Sequence, residues 1–116
     1  MLHTKNILIT CFLSLLLLWT HHAYSHADHG GPLSDEAAIL TATKDVDIIV
    51  EKAEKVDGQL LDASWKQGTE KKIFKKSLQY FVVSFHHPEQ KKTLYILLDL
   101  YGKYWGANLT GEFKGL

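Results

Sequence analysis

Cysteine is almost absent from the chain: there is one, Cys11, inside an apolar stretch near the amino terminus. A lone thiol cannot close a disulfide within the chain, and cysteine-based metal sites need clusters that are not there. Charge bias is lacking too, with 13 basic and 13 acidic residues, so no basic field favours nucleic acid or anionic lipid. Nucleic acid is therefore not an expected partner. Long apolar runs are also missing. Residues 7–19 form the main one, interrupted by Thr10 and Ser14, and a bilayer-spanning helix needs roughly 20 apolar residues.

That short run has the setting of a secretory signal. Lys5 supplies a charged start, the apolar segment follows, and small residues end the stretch at Ala23-Tyr24-Ser25 and again at Ser25-His26-Ala27. The expectation is a signal peptide over residues 1–25 with cleavage after Ser25, or alternatively after Ala27. The product is periplasmic or secreted, with no permanent membrane anchor after cleavage. Cleavage removes Cys11, and with it His3, His21 and His22.

Residues 26–33 read His-Ala-Asp-His-Gly-Gly-Pro-Leu, where paired glycines and a proline discourage regular structure, so a flexible leader is expected. Residues 34–116 are expected to form a single domain. Ser34 is a good N-cap, with Asp35 and Glu36 in the first turn complementing the helix dipole. Ile39, Ala42, Val46, Ile49, Ala53, Val56 and Leu60 recur at alternating spacings of three and four, one apolar stripe of a helix, and Gly58 reads as its stop.

Beyond it, Trp65 reads as a packing anchor under a turn. Lys71, Lys72, Lys75 and Lys76 flank Ile73-Phe74, a pattern that suits an edge strand or a loop, with a functional basic patch as the alternative. Residues 78–85 and 93–100 are rich in β-branched and aromatic residues and read as strands, separated by a turn at His86-His87-Pro88-Glu89-Gln90. Tyr101-Gly102-Lys103 turns the chain into a third strand over residues 104–110, where Gly106 marks a bulge or a close approach. The fold class is α+β: one long amphipathic N-terminal helix packed on a three- to four-stranded antiparallel meander sheet.

The leader (His26, Asp28, His29, Gly30, Gly31, Pro32), the Leu61-Asp62-Ala63-Ser64-Trp65 segment, Leu94-Tyr95 and the run from Gly102 through Trp105, Asn108 and Thr110 to Gly111 together resemble a family of small exported bacterial proteins, a domain of unknown function. The resemblance covers nearly all of the chain after the signal and implies no activity. More distantly, a helix followed by a meander with an Asp-x-x-Gly turn (Asp99, Gly102) is similar to PepSY-type domains. That likeness implies a periplasmic or cell-surface module that binds or inhibits a protein or peptide.

Histidine supplies the candidate ligands. His26 and His29, with Asp28, suit copper or zinc, and cleavage after Ser25 would add the new α-amine of His26 to the donor set. His86 and His87 are further imidazoles, but adjacent residues of a strand point to opposite faces, so only a turn would let them share an ion. Ser64 and Ser84 lie in no nucleophile elbow, no glycine loop cradles a phosphate, and Asp62, Asp99 and Glu112 form no diagnostic pair. Asn108-Leu109-Thr110 matches a glycosylation sequon, although its asparagine is better read as ordering a turn. Of Tyr104 and Trp105, only one can face the helix, leaving the other for a partner.

The expected function is thus a small exported, non-catalytic binding module that takes a transition metal through its leader. The alternative is a PepSY-like module that binds an envelope protein or peptide.

Overall fold

The computed structural model describes residues 30–116. Helix α1 (Asp35–Glu51) opens on Ser34, whose hydroxyl accepts from the Ala37 amide at 3.1 Å. Its buried positions are Ala38, Ala42, Val46 and Ile49. Ile39 is half-buried, and Leu40 and Ile48 are exposed, so apolar and polar faces divide less sharply than the expected stripe.

The helix is also shorter than that stripe. It ends at Lys52, and Ala53 follows with φ 52°. Strands β1 (Lys55–Val56) and β2 (Gln59–Leu60) then pair as a small hairpin. Gly58 is not the helix stop. With φ 48° at Asp57 and 76° at Gly58, these two residues make the hairpin turn, for which two successive positive φ values are required. Val56 is consequently buried from a strand, and Leu60 is exposed.

A single turn of 3-10 helix (Ala63–Lys66) follows, and Trp65 in it is 2% exposed. The main sheet is a meander of β3 (Glu70–Lys76), β4 (Tyr80–His87), β5 (Lys92–Asp99) and β6 (Tyr104–Asn108), antiparallel throughout and in that order. His86 and His87 belong to β4 rather than to the turn after it, because they pair with Thr93 and Lys92.

Alternation splits the central strands. Phe81, Val83 and Phe85 of β4 and Leu94, Ile96 and Leu98 of β5 join the helix, Val56, Leu61 and Trp65 in one core. Burying a side chain of this size contributes about 1.5–3 kcal/mol, so this face holds the fold together. Tyr80, Val82 and Leu97 lie on the opposite face in a second apolar cluster with Tyr95 and Phe113.

Tyr104 is the aromatic that meets the helix, lining a notch with Asp45, Ile48, Ile49 and Glu54, while Trp105 is 48% exposed. Trp105 is also the extra residue of a bulge, since Leu97 pairs with Gly106 and Leu98 with Tyr104.

Candidate functional site

Side chains form two polar constellations, one at the turn below Trp65 and one on the outer sheet face. At the first, Asp62 caps the 3-10 turn by accepting from the Ser64 amide at 3.0 Å, and it also accepts from the Ser64 hydroxyl. Ser64 Oγ lies 2.8 Å from His87 Nε2. Asp62, Ser64 and His87 are the residue types of a hydrolase triad, so the direction of each proton matters.

The Gln90 amide donates to His87 Nδ1 at 3.2 Å. Nδ1 is therefore an acceptor, the neutral ring carries its proton on Nε2, and that proton goes to Ser64. Ser64 in turn gives its own proton to Asp62. A nucleophilic triad needs the reverse, with the imidazole accepting from serine and donating to the carboxylate.

The remaining groups are committed as well. Gln90 Nε2 donates to Asp62 Oδ2 at 2.9 Å, and Gln90 Oε1 accepts from the Trp65 indole at 3.2 Å. The Trp65 and His87 rings lie 4.9 Å apart, and His87 is buried. The Ser64 hydroxyl bond holds the Asp62 carboxyl below its usual range, and the Ser64 amide and Gln90 assist. This network is a clasp that fixes the Asp62–Trp65 segment to the β4–β5 turn.

The second constellation is a groove of about 300 Å3 on the outer face. Strand register builds it in two cross-strand rows. Lys72 pairs with Ser84 and Ser84 with Tyr95, while Glu70 pairs with His86 and His86 with Thr93. His86 Nδ1 lies 2.9 Å from Thr93 Oγ1, which orients the ring. Phe74, displaced at the β3 bulge, packs edge-on against Tyr95 with centroids 4.8 Å apart.

The C-terminal segment covers only the other half of this face. Asn108 folds it back: its Oδ1 accepts from the Gly111 amide at 2.8 Å, and its Nδ2 donates to the Glu112 carbonyl at 2.7 Å. Gly111 then passes over Tyr95 so closely that a Cβ would sit 3.0 Å from the ring, and Phe113 joins Tyr80, Val82 and Leu97. The apolar half is roofed and the polar half is open.

Of the expected ligands, His26, Asp28 and His29 lie outside the described residues. His86 and His87 sit on opposite faces of β4, one in the groove and one in the clasp, so their rings do not converge. Among the described residues no three His, Cys, Asp or Glu side chains gather around a common point. Asp99 is engaged in its own turn, where it accepts from the Tyr101 and Lys103 amides at 2.8 and 2.9 Å. Sequence reasoning names the lysines of β3 but misses Glu70, Ser84, Thr93 and Tyr95. The signal for them is the single polar residue, Ser84, inside the apolar run of β4.

A sequence profile for a family of unknown function, DUF6488, matches residues 4–112. The chain belongs to this family. No curated protein and no solved structure matches it. DUF6488 membership accounts for the expected domain of unknown function without adding an activity, so the geometry must carry the functional argument. Among the described residues of this DUF6488 chain, no helix is long and apolar enough to cross a membrane.

Proposed function

We propose that this chain is an exported, non-catalytic module that binds a protein or peptide partner on the open half of its outer sheet face. The observation that carries the reading is the unequal cover of that face. The C-terminal segment buries Tyr80, Val82 and Leu97, yet it stops at Tyr95 and leaves Ser84, His86 and Thr93 lining an open groove beside edge strand β3. Edge strands and adjoining grooves are the usual seats of extended peptides. The clasp supports the non-catalytic part of the reading, because its serine hydroxyl is donated to Asp62 and its imidazole proton points the wrong way for base catalysis. The PepSY-like alternative agrees in function. Its Asp99–Gly102 turn is explained locally, since Gly102 has φ 96° and a Cβ there would meet Leu33 at 3.0 Å.

A photo-crosslinking amino acid at Thr93 or Phe74, in cells that make the protein, tests this reading. Discrete adducts from these positions, and none from Leu40 on the exposed helix surface, are expected. Adducts absent from both groove positions, or equal at Leu40, would reject the groove as the docking surface.

A further inference from the structure

Resting on that reading, we propose that the groove partner is an acidic, extended segment of a protein, which lies along β3 and places a carboxylate on Lys72. The lysines of β3 are not equivalent. Lys71 Nζ stands 5.9 Å from the centroid of Phe85, Lys75 Nζ 5.8 Å from that of Tyr80, and Lys76 Nζ 5.4 Å from that of Phe81. Lys76 also pairs with Asp35 at 3.0 Å. Lys72 has neither a ring nor a carboxylate partner among the described residues, and it is the one whose cross-strand row runs over Ser84 to Tyr95.

Polar side chains lie on and beside that row. The Tyr95 phenol makes no hydrogen bond among the described residues. His86 is tied to Thr93 through Nδ1, which leaves Nε2 unpaired among those residues. An ammonium, a phenol and an imidazole around the buried Ser84 suit an anionic oxygen pair, since charge-assisted hydrogen bonds are roughly twice as strong as neutral ones. Glu70, beside His86, is the opposing charge on the neighbouring row. The same strand carries four lysines against this one glutamate, so a ligand with several carboxylates still meets a net positive strand.

The peptide character follows from the edge. β3 pairs only with β4 in the sheet of the described residues, so its outer side offers backbone groups to an added strand, whose alternate side chains fall toward the groove. Lysines discourage pairing with another neutral or basic strand. An acidic strand meets them as counter-charges instead.

The test uses the chain beginning at His26 and a dye-labelled peptide of alternating glutamate and valine, followed by fluorescence anisotropy at low salt. Saturable binding is expected. Lys72→Gln should weaken it about tenfold and Tyr95→Phe severalfold, with unchanged circular dichroism, while Lys44→Gln on the helix has little effect. Binding should weaken with added salt, and the lysine–valine counterpart should not bind. No binding of the glutamate–valine peptide, or equal binding by Lys72→Gln, would overturn the proposal. Equally effective competition by free glutarate would overturn its strand part, and self-association abolished by Lys72→Gln would make a second copy the occupant. Groove crosslinks that persist while the acidic peptide fails would reject the ligand class and leave the docking surface standing.

Discussion

Two adjacent histidines in β4 provide the sharpest separation of structure from surface. His87 is 5% exposed, and its ring accepts from the Gln90 amide, donates to Ser64 and packs beside Trp65. His87→Ala removes two hydrogen bonds, each with a net contribution of about 0.5–1.5 kcal/mol. It also leaves a void under an indole that is 2% exposed. Adding a modest void cost gives a loss of about 2–4 kcal/mol. For a domain of this size each kcal/mol lowers Tm by about 4–8 °C, so a fall of roughly 8–32 °C is expected. His86→Ala removes one contact with Thr93 on an open surface, and its expected effect is within about 0.5 kcal/mol. Urea unfolding followed by tryptophan fluorescence and circular dichroism measures both. Equal losses in the two variants, or a His87→Ala loss below about 0.5 kcal/mol, would refute the division of roles.

Ser64→Ala should raise the Asp62 titration midpoint, since the Ser64 hydroxyl is the main cause of its depression. A depressed carboxyl stabilises the fold above its unfolded pKa and loses that contribution as pH falls through the folded value, so the variant's stability should vary less on the acid side. NMR titration and pH-dependent melting report the two effects. Asp45 behaves oppositely: burial raises its pKa and its Oδ2 lacks a partner among the described residues, so its ionised form is penalised at neutral pH and relieved as pH falls through the raised value. Asp45→Asn should therefore raise Tm at pH 7 and converge with the parent in acid. Gly111→Ala forces a side chain into φ 80° against the Tyr95 ring. It should cost about 1–2 kcal/mol, seen by melting together with faster proteolysis after Asn108. For the leader, native mass spectrometry of the secreted protein should find a chain starting at His26 or Asp28 that retains Cu(II) or Zn(II). Retention after joint replacement of His26 and His29 by alanine would reject the leader as the metal site.

The helix and the meander are legible in the sequence because they rest on local signals. Ser34, Asp35 and Glu36 mark the helix start, and the aromatic and β-branched runs mark β4 and β5. The helix end is not legible, because Val56 and Leu60 continue the spacing of a helical stripe by coincidence. Asp57-Gly58 is the strongest short hairpin signal in the chain, yet a glycine after an apolar stripe also reads as a helix stop. Periodicity alone does not choose between them. The choice is made by contacts distant in sequence: Asp57 accepts from the Leu109 amide at 2.8 Å, and Gln59 accepts from Lys92 at 2.8 Å, fastening the hairpin to the rest of the domain.

The same distinction governs the two polar constellations. The clasp joins Asp62 and Ser64 to His87 and Gln90 across more than twenty residues, and a sequence does not reveal which serine a buried histidine meets. The groove is different in kind, because a strand's period of two places its floor as soon as the registers are known. Once Phe81, Val83 and Phe85 are assigned to the core, Ser84 and His86 must share the other face. Once Leu94 and Ile96 are assigned, Thr93 and Tyr95 must join them. What the period does not supply is the cover over that face, which depends on Asn108 folding the last residues back at Gly111. That fold-back roofs Tyr80, Val82 and Leu97 and ends at Tyr95. It therefore turns an ordinary solvated sheet face into a bounded groove, with Lys72, unpaired among the described residues, at its rim.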